Sequence, residues 1–94
     1  MLRVKGDERM QHLMELFTHP GCFSRESGLG LIETVLKDFP SVTFKEVDMV
    51  REEKRALSLG VRISPTVVLD KKMIAVGIPT EKKLRVILKE NIHD

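Results

Sequence analysis

Residues 66–77 read TVVLDKKMIAVG, and this stretch decides the fold. Thr66–Leu69 is a run of β-branched and apolar residues, and Asp70-Lys71-Lys72 is a tight polar connection. Met73–Val76 is a second apolar run, which Gly77 breaks. Two such runs so closely spaced predict a β-hairpin with antiparallel strands. What precedes the hairpin then determines whether the sheet is wholly antiparallel or mixed.

Upstream, Leu13–Phe17 is a short apolar run ended by Thr18-His19-Pro20-Gly21, the pattern of a buried strand followed by a loop. From Ser24 to Phe39 the apolar residues Leu29, Ile32, Val35, Leu36 and Phe39 are spaced for one helical face, and Pro40 ends the helix. Gly28 and Gly30 each cost such a helix about 1 kcal/mol relative to Ala, which close approach to a sheet would explain. Val42–Asp48 alternates and is rich in β-branched residues, so it reads as a second strand. Arg51–Leu59 reads as a short charged helix capped by Gly60, with a loop at Val61–Pro65.

Downstream of the hairpin, Thr80 is placed to cap a closing helix with Glu81 in its first turn, and Leu84, Ile87 and Leu88 form its buried face. The order is strand, helix, strand, helix, strand, strand, helix. A βαβ unit makes its two strands parallel, and the hairpin adds antiparallel ones. The expected architecture is an α/β fold, a four-stranded mixed sheet with helices on both faces. Residues 1–11 form a lead-in, which carries at most a short edge strand at Leu2–Val4; residues 12–94 form the domain.

Composition narrows the function. Ninety-four residues set the scale of one domain, 41% hydrophobic and 32% charged, as in a soluble globular protein. Sixteen basic against fourteen acidic residues nearly cancel, and with no Trp or Tyr to stack on bases nucleic acid is not an expected partner. One cysteine excludes an internal disulfide and a Cys-rich zinc site, and the three histidines are too irregularly placed to suggest a metal. No apolar run approaches the roughly 20 residues of a membrane span and no signal-peptide pattern opens the chain, so the expected location is the cytosol. Gln11 and Asn91 are the only amide side chains, a composition that leans toward a heat-tolerant host.

The segment Leu16-Phe17-Thr18-His19-Pro20-Gly21-Cys22-Phe23-Ser24-Arg25 resembles the active-site segment of glutaredoxins and small thioredoxin-like proteins: strand, Thr-x-Pro-x-Cys-x-x-Cys, helix. Gly60–Leu69 resembles the thioredoxin segment that carries a cis-proline before a central strand. Together the two motifs span nearly the whole chain in the family's element order, the thioredoxin fold. The resemblance puts Cys22 at the nucleophile's position and Arg25 where a dithiol enzyme has its second cysteine. It implies that Ser64–Pro65 is cis and presents the Ser64 backbone to an extended thiol substrate. Substrate contacts then fall to His19, Phe23, Ser64, Pro65, Thr66 and Gly77. His19 stands where many glutaredoxins carry a Lys for the glutathione carboxylate, although a solvated loop histidine has the same sequence signature. Gly77 sits near the groove, and a simple strand-ending glycine explains it equally well. Leu16 replaces thioredoxin's buried acid with no internal proton acceptor in its stead, which places the site nearer glutaredoxin.

A cysteine opening a helix faces unpaired N–H groups and the positive end of the macrodipole, which favour thiolate below the free value of about 8.5. Arg25, one turn on, is expected to fold back toward the sulfur, and Ser24 to donate its hydroxyl. Without a second cysteine, a mixed disulfide at Cys22 is released only by an outside thiol, glutathione or another protein's cysteine. No cofactor is required. The competing reading is a redox-inactive binding module that uses the same groove. Two further comparisons are weaker. Monothiol glutaredoxins that carry an iron–sulfur cluster read Cys-Gly-Phe-Ser, against Cys22-Phe23-Ser24-Arg25 here. The arsenate-reductase branch reads Cys-x-x-Ser-Arg and has a helical insertion with no counterpart in this chain.

Overall fold

The computed structural model describes residues 11–19, 21, 22 and 24–92. The expectations at Leu2–Val4 and Phe23, and the Pro20 of the motif, lie outside the described residues. The elements in chain order are β1 (His12–Thr18), α1 (Arg25–Leu36), β2 (Val42–Asp48), α2 (Glu53–Ser58), β3 (Thr66–Leu69), β4 (Lys72–Val76) and α3 (Glu81–Asn91). The sheet order is β2-β1-β3-β4, with β1 parallel to β2 and antiparallel to β3, and β3 antiparallel to β4. This is the mixed sheet the sequence predicts.

Strand alternation sorts the core onto two faces. Met14, Leu16, Val67 and Leu69 point to one face and pack against Ile32 and Val35 of α1 and Leu84 and Leu88 of α3. Phe17, Val68 and Val47 point to the other, where Ala56 of α2 and Val61 close a smaller cluster. Helix α2, six residues long, is therefore held by few apolar contacts.

The hairpin turn is tighter than the sequence suggests, because Lys72 already belongs to β4. Asp70 and Lys71 alone make the turn, both at positive φ (50° and 69°), a two-residue geometry that matches strand twist but disfavours side chains. Asp70 anchors it to β1. Its N–H donates to the Leu13 carbonyl (2.8 Å), one carboxylate oxygen accepts from the Leu13 N–H (2.9 Å), and the other pairs with His12 Nδ1 (2.6 Å).

Helix α1 starts at Arg25 and stops at Leu36, short of the sequence-predicted bounds at Ser24 and Phe39. Its end tightens into i−3 bonds, Asp38 N–H to Val35 O and Phe39 N–H to Leu36 O, which turn the chain before Pro40 while leaving Phe39 in the core. The two glycines in α1 differ. A Cβ at Gly28 would crowd the end of the Ile78 side chain and lie 3.7 Å from Leu16 Cδ2 of β1, so this glycine sits close to both the segment after β4 and the sheet. Gly30 is exposed with nothing near it, and no packing reason accounts for it. Thr80 caps α3, its hydroxyl accepting from Lys83 N–H at 3.1 Å.

Candidate functional site

The register brings the predicted site segments to one end of the sheet. Phe17 pairs with Thr66 and Thr66 with Val76, so the loop after β1, the Ser64-Pro65 peptide before β3 and Gly77 after β4 emerge side by side. The Ser64-Pro65 bond is cis. Gly77 donates its N–H to the Pro65 carbonyl (2.7 Å) at φ +83°, a backbone conformation that side chains resist. The Ser64 hydroxyl is buried with no hydrogen-bond partner. Thr66, which the resemblance lists as a substrate contact, is fully buried, and its hydroxyl donates to the Ile63 carbonyl at 2.5 Å. That side chain shapes the loop from behind and is not a surface contact.

Cys22 is half-buried in the loop between β1 and α1. Its N–H donates to His19 O (3.1 Å) and its carbonyl accepts from Arg25 N–H (3.2 Å). The helix cap is Ser24, without a side-chain capping bond, so Cys22 stands two residues ahead of the cap and not in the first turn. The macrodipole's influence is concentrated in that first turn.

Arg25 departs from expectation. Its guanidinium is committed to Glu46 on β2 and does not hydrogen-bond the sulfur: Nε donates to one carboxylate oxygen (2.5 Å) and Nη2 to the other (2.9 Å). The Thr18 hydroxyl donates to the same carboxylate (3.0 Å). Glu46 thus ties the end of β1 and the start of α1, the two supports of the cysteine loop, to the edge strand. The Arg25 hydrogen bonds hold the Glu46 carboxyl below its ordinary range, helped by Thr18 and opposed by partial burial and by Asp48. A carboxylate whose pKa is lower folded than unfolded stabilises above its unfolded value, about 4.3, and loses that contribution as pH falls through the folded value. Glu46→Gln is therefore expected to be less stable than the native chain by a constant amount at neutral pH. The two denaturation curves should converge below about pH 4, as urea titrations across pH would record. A gap that persists at low pH would show that the carboxylate's charge is not what stabilises.

Two concavities flank the loop. A groove of about 650 Å³ runs between His19, Ser64 and Arg62 and the apolar residues Met49, Val50 and Leu57. A smaller one of about 270 Å³ is lined by Thr18, His19, Arg25, Glu46 and Asp48. His19 is exposed and lines both.

Sequence reasoning also missed a buried acid. Glu15 is 1% exposed on the second face of the sheet, opposite Leu16, and accepts from Arg55 Nη2 of α2 at 2.7 Å. That hydrogen bond raises the Arg55 pKa, and the Arg55 guanidinium lies 5.5 Å from the centroid of the Phe17 ring. The available signal was a single charge inside the apolar run Leu13–Phe17.

The same architecture recurs in solved structures. A point mutant of the thioredoxin of Halobacterium salinarum superposes with a TM-score of 0.75 at 19% identity, covering 100% of this chain and 87% of that one. The chain has the thioredoxin fold. The Fasciola hepatica thioredoxin shares the fold at a TM-score of 0.71 and 24% identity, over 95% of this chain and 88% of the other. In sequence, a thioredoxin of Methanocaldococcus jannaschii is 25% identical over 80 residues, 84% of this chain and 94% of its relative. No family model matches the chain. Among the described residues of this thioredoxin fold, no helix is long and apolar enough to cross a membrane.

Proposed function

We propose that the protein is a thiol–disulfide exchange protein that acts through the single sulfur of Cys22. The observation that carries the reading is the juxtaposition of the half-buried Cys22, in the loop after β1, with the Ser64-Pro65 loop before β3 at one end of a thioredoxin-fold sheet. The Cys22 thiolate attacks one sulfur of a substrate disulfide, forming a mixed disulfide and expelling the other sulfur as a thiolate, which takes up a proton. A second, external thiolate then attacks the mixed disulfide at the substrate sulfur. It releases Cys22 and leaves a new disulfide between substrate and external thiol, so no net oxidant is consumed. Arg25 in the second-cysteine position makes that external thiol, glutathione or a protein cysteine, a stoichiometric partner. The backbone of the Ser64 loop, with His19 and Gly77 beside it, is the docking place for an extended substrate.

The test is exchange with a glutathione–peptide mixed disulfide, followed by mass spectrometry and by peptide-thiol release. The native chain is expected to acquire one glutathione on Cys22 and to turn over when thiol is added. Cys22→Ser should do neither. A redox-inactive binding module would instead form the adduct no faster than an unstructured cysteine peptide and show no turnover. That outcome would replace the exchange reading.

A further inference from the structure

We propose that Glu46 is a positioning residue that sets which disulfides Cys22 accepts, by neutralising Arg25, whose backbone N–H bonds the Cys22 carbonyl. The inference rests on the exchange reading above for its biological meaning. Its physical basis is the geometry around Arg25, the first residue of α1 and the third after Cys22. A free guanidinium there would attract anionic disulfides and repel cationic ones. Here two of its nitrogens are held in a fork by both oxygens of one carboxylate, a pairing with fixed direction as well as charge. The Thr18 hydroxyl fixes the carboxylate from the other side.

The neighbouring charges point the same way. Glu26 follows Arg25 on α1 and Asp48 follows Glu46 on β2, and both act on the pair electrostatically. Asp48 faces the same small concavity as Arg25 and Glu46, so that surface carries two carboxylates against one guanidinium, with His19 at its rim. Asp48 is itself oriented by accepting from the Val50 and Arg51 N–H groups. The concavity beside the loop therefore presents no net positive charge. The class of substrate it suits is a disulfide whose flanking groups are neutral or cationic, such as a basic polypeptide, in preference to one bearing carboxylates.

The charge preference can be read directly from the rates at which Cys22 reacts with two small disulfides, the dianionic dithiobis-nitrobenzoate and the dicationic cystamine. The quantity is their ratio, compared between variants so that intrinsic reactivity cancels. Glu46→Gln frees the Arg25 charge and is expected to raise the anionic-to-cationic ratio on the order of fivefold, the scale of one solvent-screened charge near a reacting anion. Arg25→Gln should lower the ratio by a similar factor, and the double variant should return it close to the native value. A purely structural role would alter both rates together and leave the ratio unmoved. Ratios within twofold of native in both single variants, with native circular dichroism, would overturn the proposal. Because these probes report on any accessible thiol, the result is independent of glutathione exchange: failure of that exchange with a shifting ratio would sink only the functional reading.

Discussion

Arg55→Ala is expected to lower the unfolding free energy by about 3 kcal/mol in a denaturant titration, with little change in slope. The carboxylate of Glu15 sits at 2% side-chain exposure and Arg55 is its recorded hydrogen-bond partner. Removing only the cation leaves a buried anion, which typically costs 3–5 kcal/mol, roughly the most damaging single change available to such a pair. The low end applies because Arg55 is itself 35% exposed, so water can enter the space it vacates. Lost packing of the guanidinium on Phe17 adds to the cost. Set against a total stability of about 5–15 kcal/mol, the loss is severe. The second face, where Ala56 attaches α2, should open first.

The companion double variant separates charge from packing. Glu15→Leu together with Arg55→Met removes both charges and keeps apolar bulk, so its stability should lie within about 1 kcal/mol of native or above it. If Arg55→Ala also stays within 1 kcal/mol, about the value of an exposed pair, Glu15 is effectively solvated and the buried-pair account fails.

The fold was legible because its signals are local. Strand β2 at Val42–Asp48 and strand β3 at Thr66–Leu69 coincide with their sequence-predicted runs, since alternation and β-branching are read within a few residues. The end of α1 was less legible: Pro40 marks it, but the i−3 bonding that closes the helix at Leu36 is something periodicity does not register. The turn at Asp70 and Lys71 has no Gly or Asn to announce it; it is held instead by His12 and Leu13, 58 and 57 residues from Asp70. The site divides along the same line. Cys22, Ser64 and Pro65 are candidates from contiguous motifs and Gly77 from its place after the last strand, and the register brings their segments together. The partners of the charged groups were not, because Glu46 and Arg55 lie 21 and 40 residues from the groups they bind. Sequence separation places Arg25 near Cys22, but only the pairing of β1 with β2 shows that a carboxylate reaches Arg25 as well. The consequence is chemical: a residue that the sequence casts as an activator of the sulfur is instead half of a neutral pair.

Arg25→Cys is expected to remove the dependence of adduct release on an outside thiol, leaving an internal disulfide that an outside reductant must open before another round. The Arg25 N–H bonds the Cys22 carbonyl at 3.2 Å, a turn in which the first and fourth α-carbons lie within about 7 Å of one another. A disulfide requires an α-carbon separation of about 4.4–6.8 Å, so a thiol introduced at this position is within bridging reach of Cys22. With glutathione on Cys22, the introduced thiolate would attack the Cys22 sulfur, expel glutathione as a thiolate and close an internal disulfide. Tethering gives it an effective concentration on the order of millimolar or more, so against roughly ten micromolar external thiol the adduct should decay on the order of a hundredfold faster. In the native chain the adduct should persist until thiol is added, and mass spectrometry distinguishes the two by the lost glutathione and the two missing protons of the new disulfide. Arg25→Ser is the control. It also deprives Glu46 of its guanidinium while leaving the Thr18 hydroxyl and partial solvent exposure to satisfy the carboxylate, yet it supplies no second sulfur. Its adduct should therefore remain thiol-dependent. An adduct on Arg25→Cys that lasts as long as the one on Arg25→Ser would mean that the two sulfurs do not meet. Any thiol dependence of the native adduct would then originate in the geometry of the loop, and the identity of the residue three places after Cys22 would not be its cause.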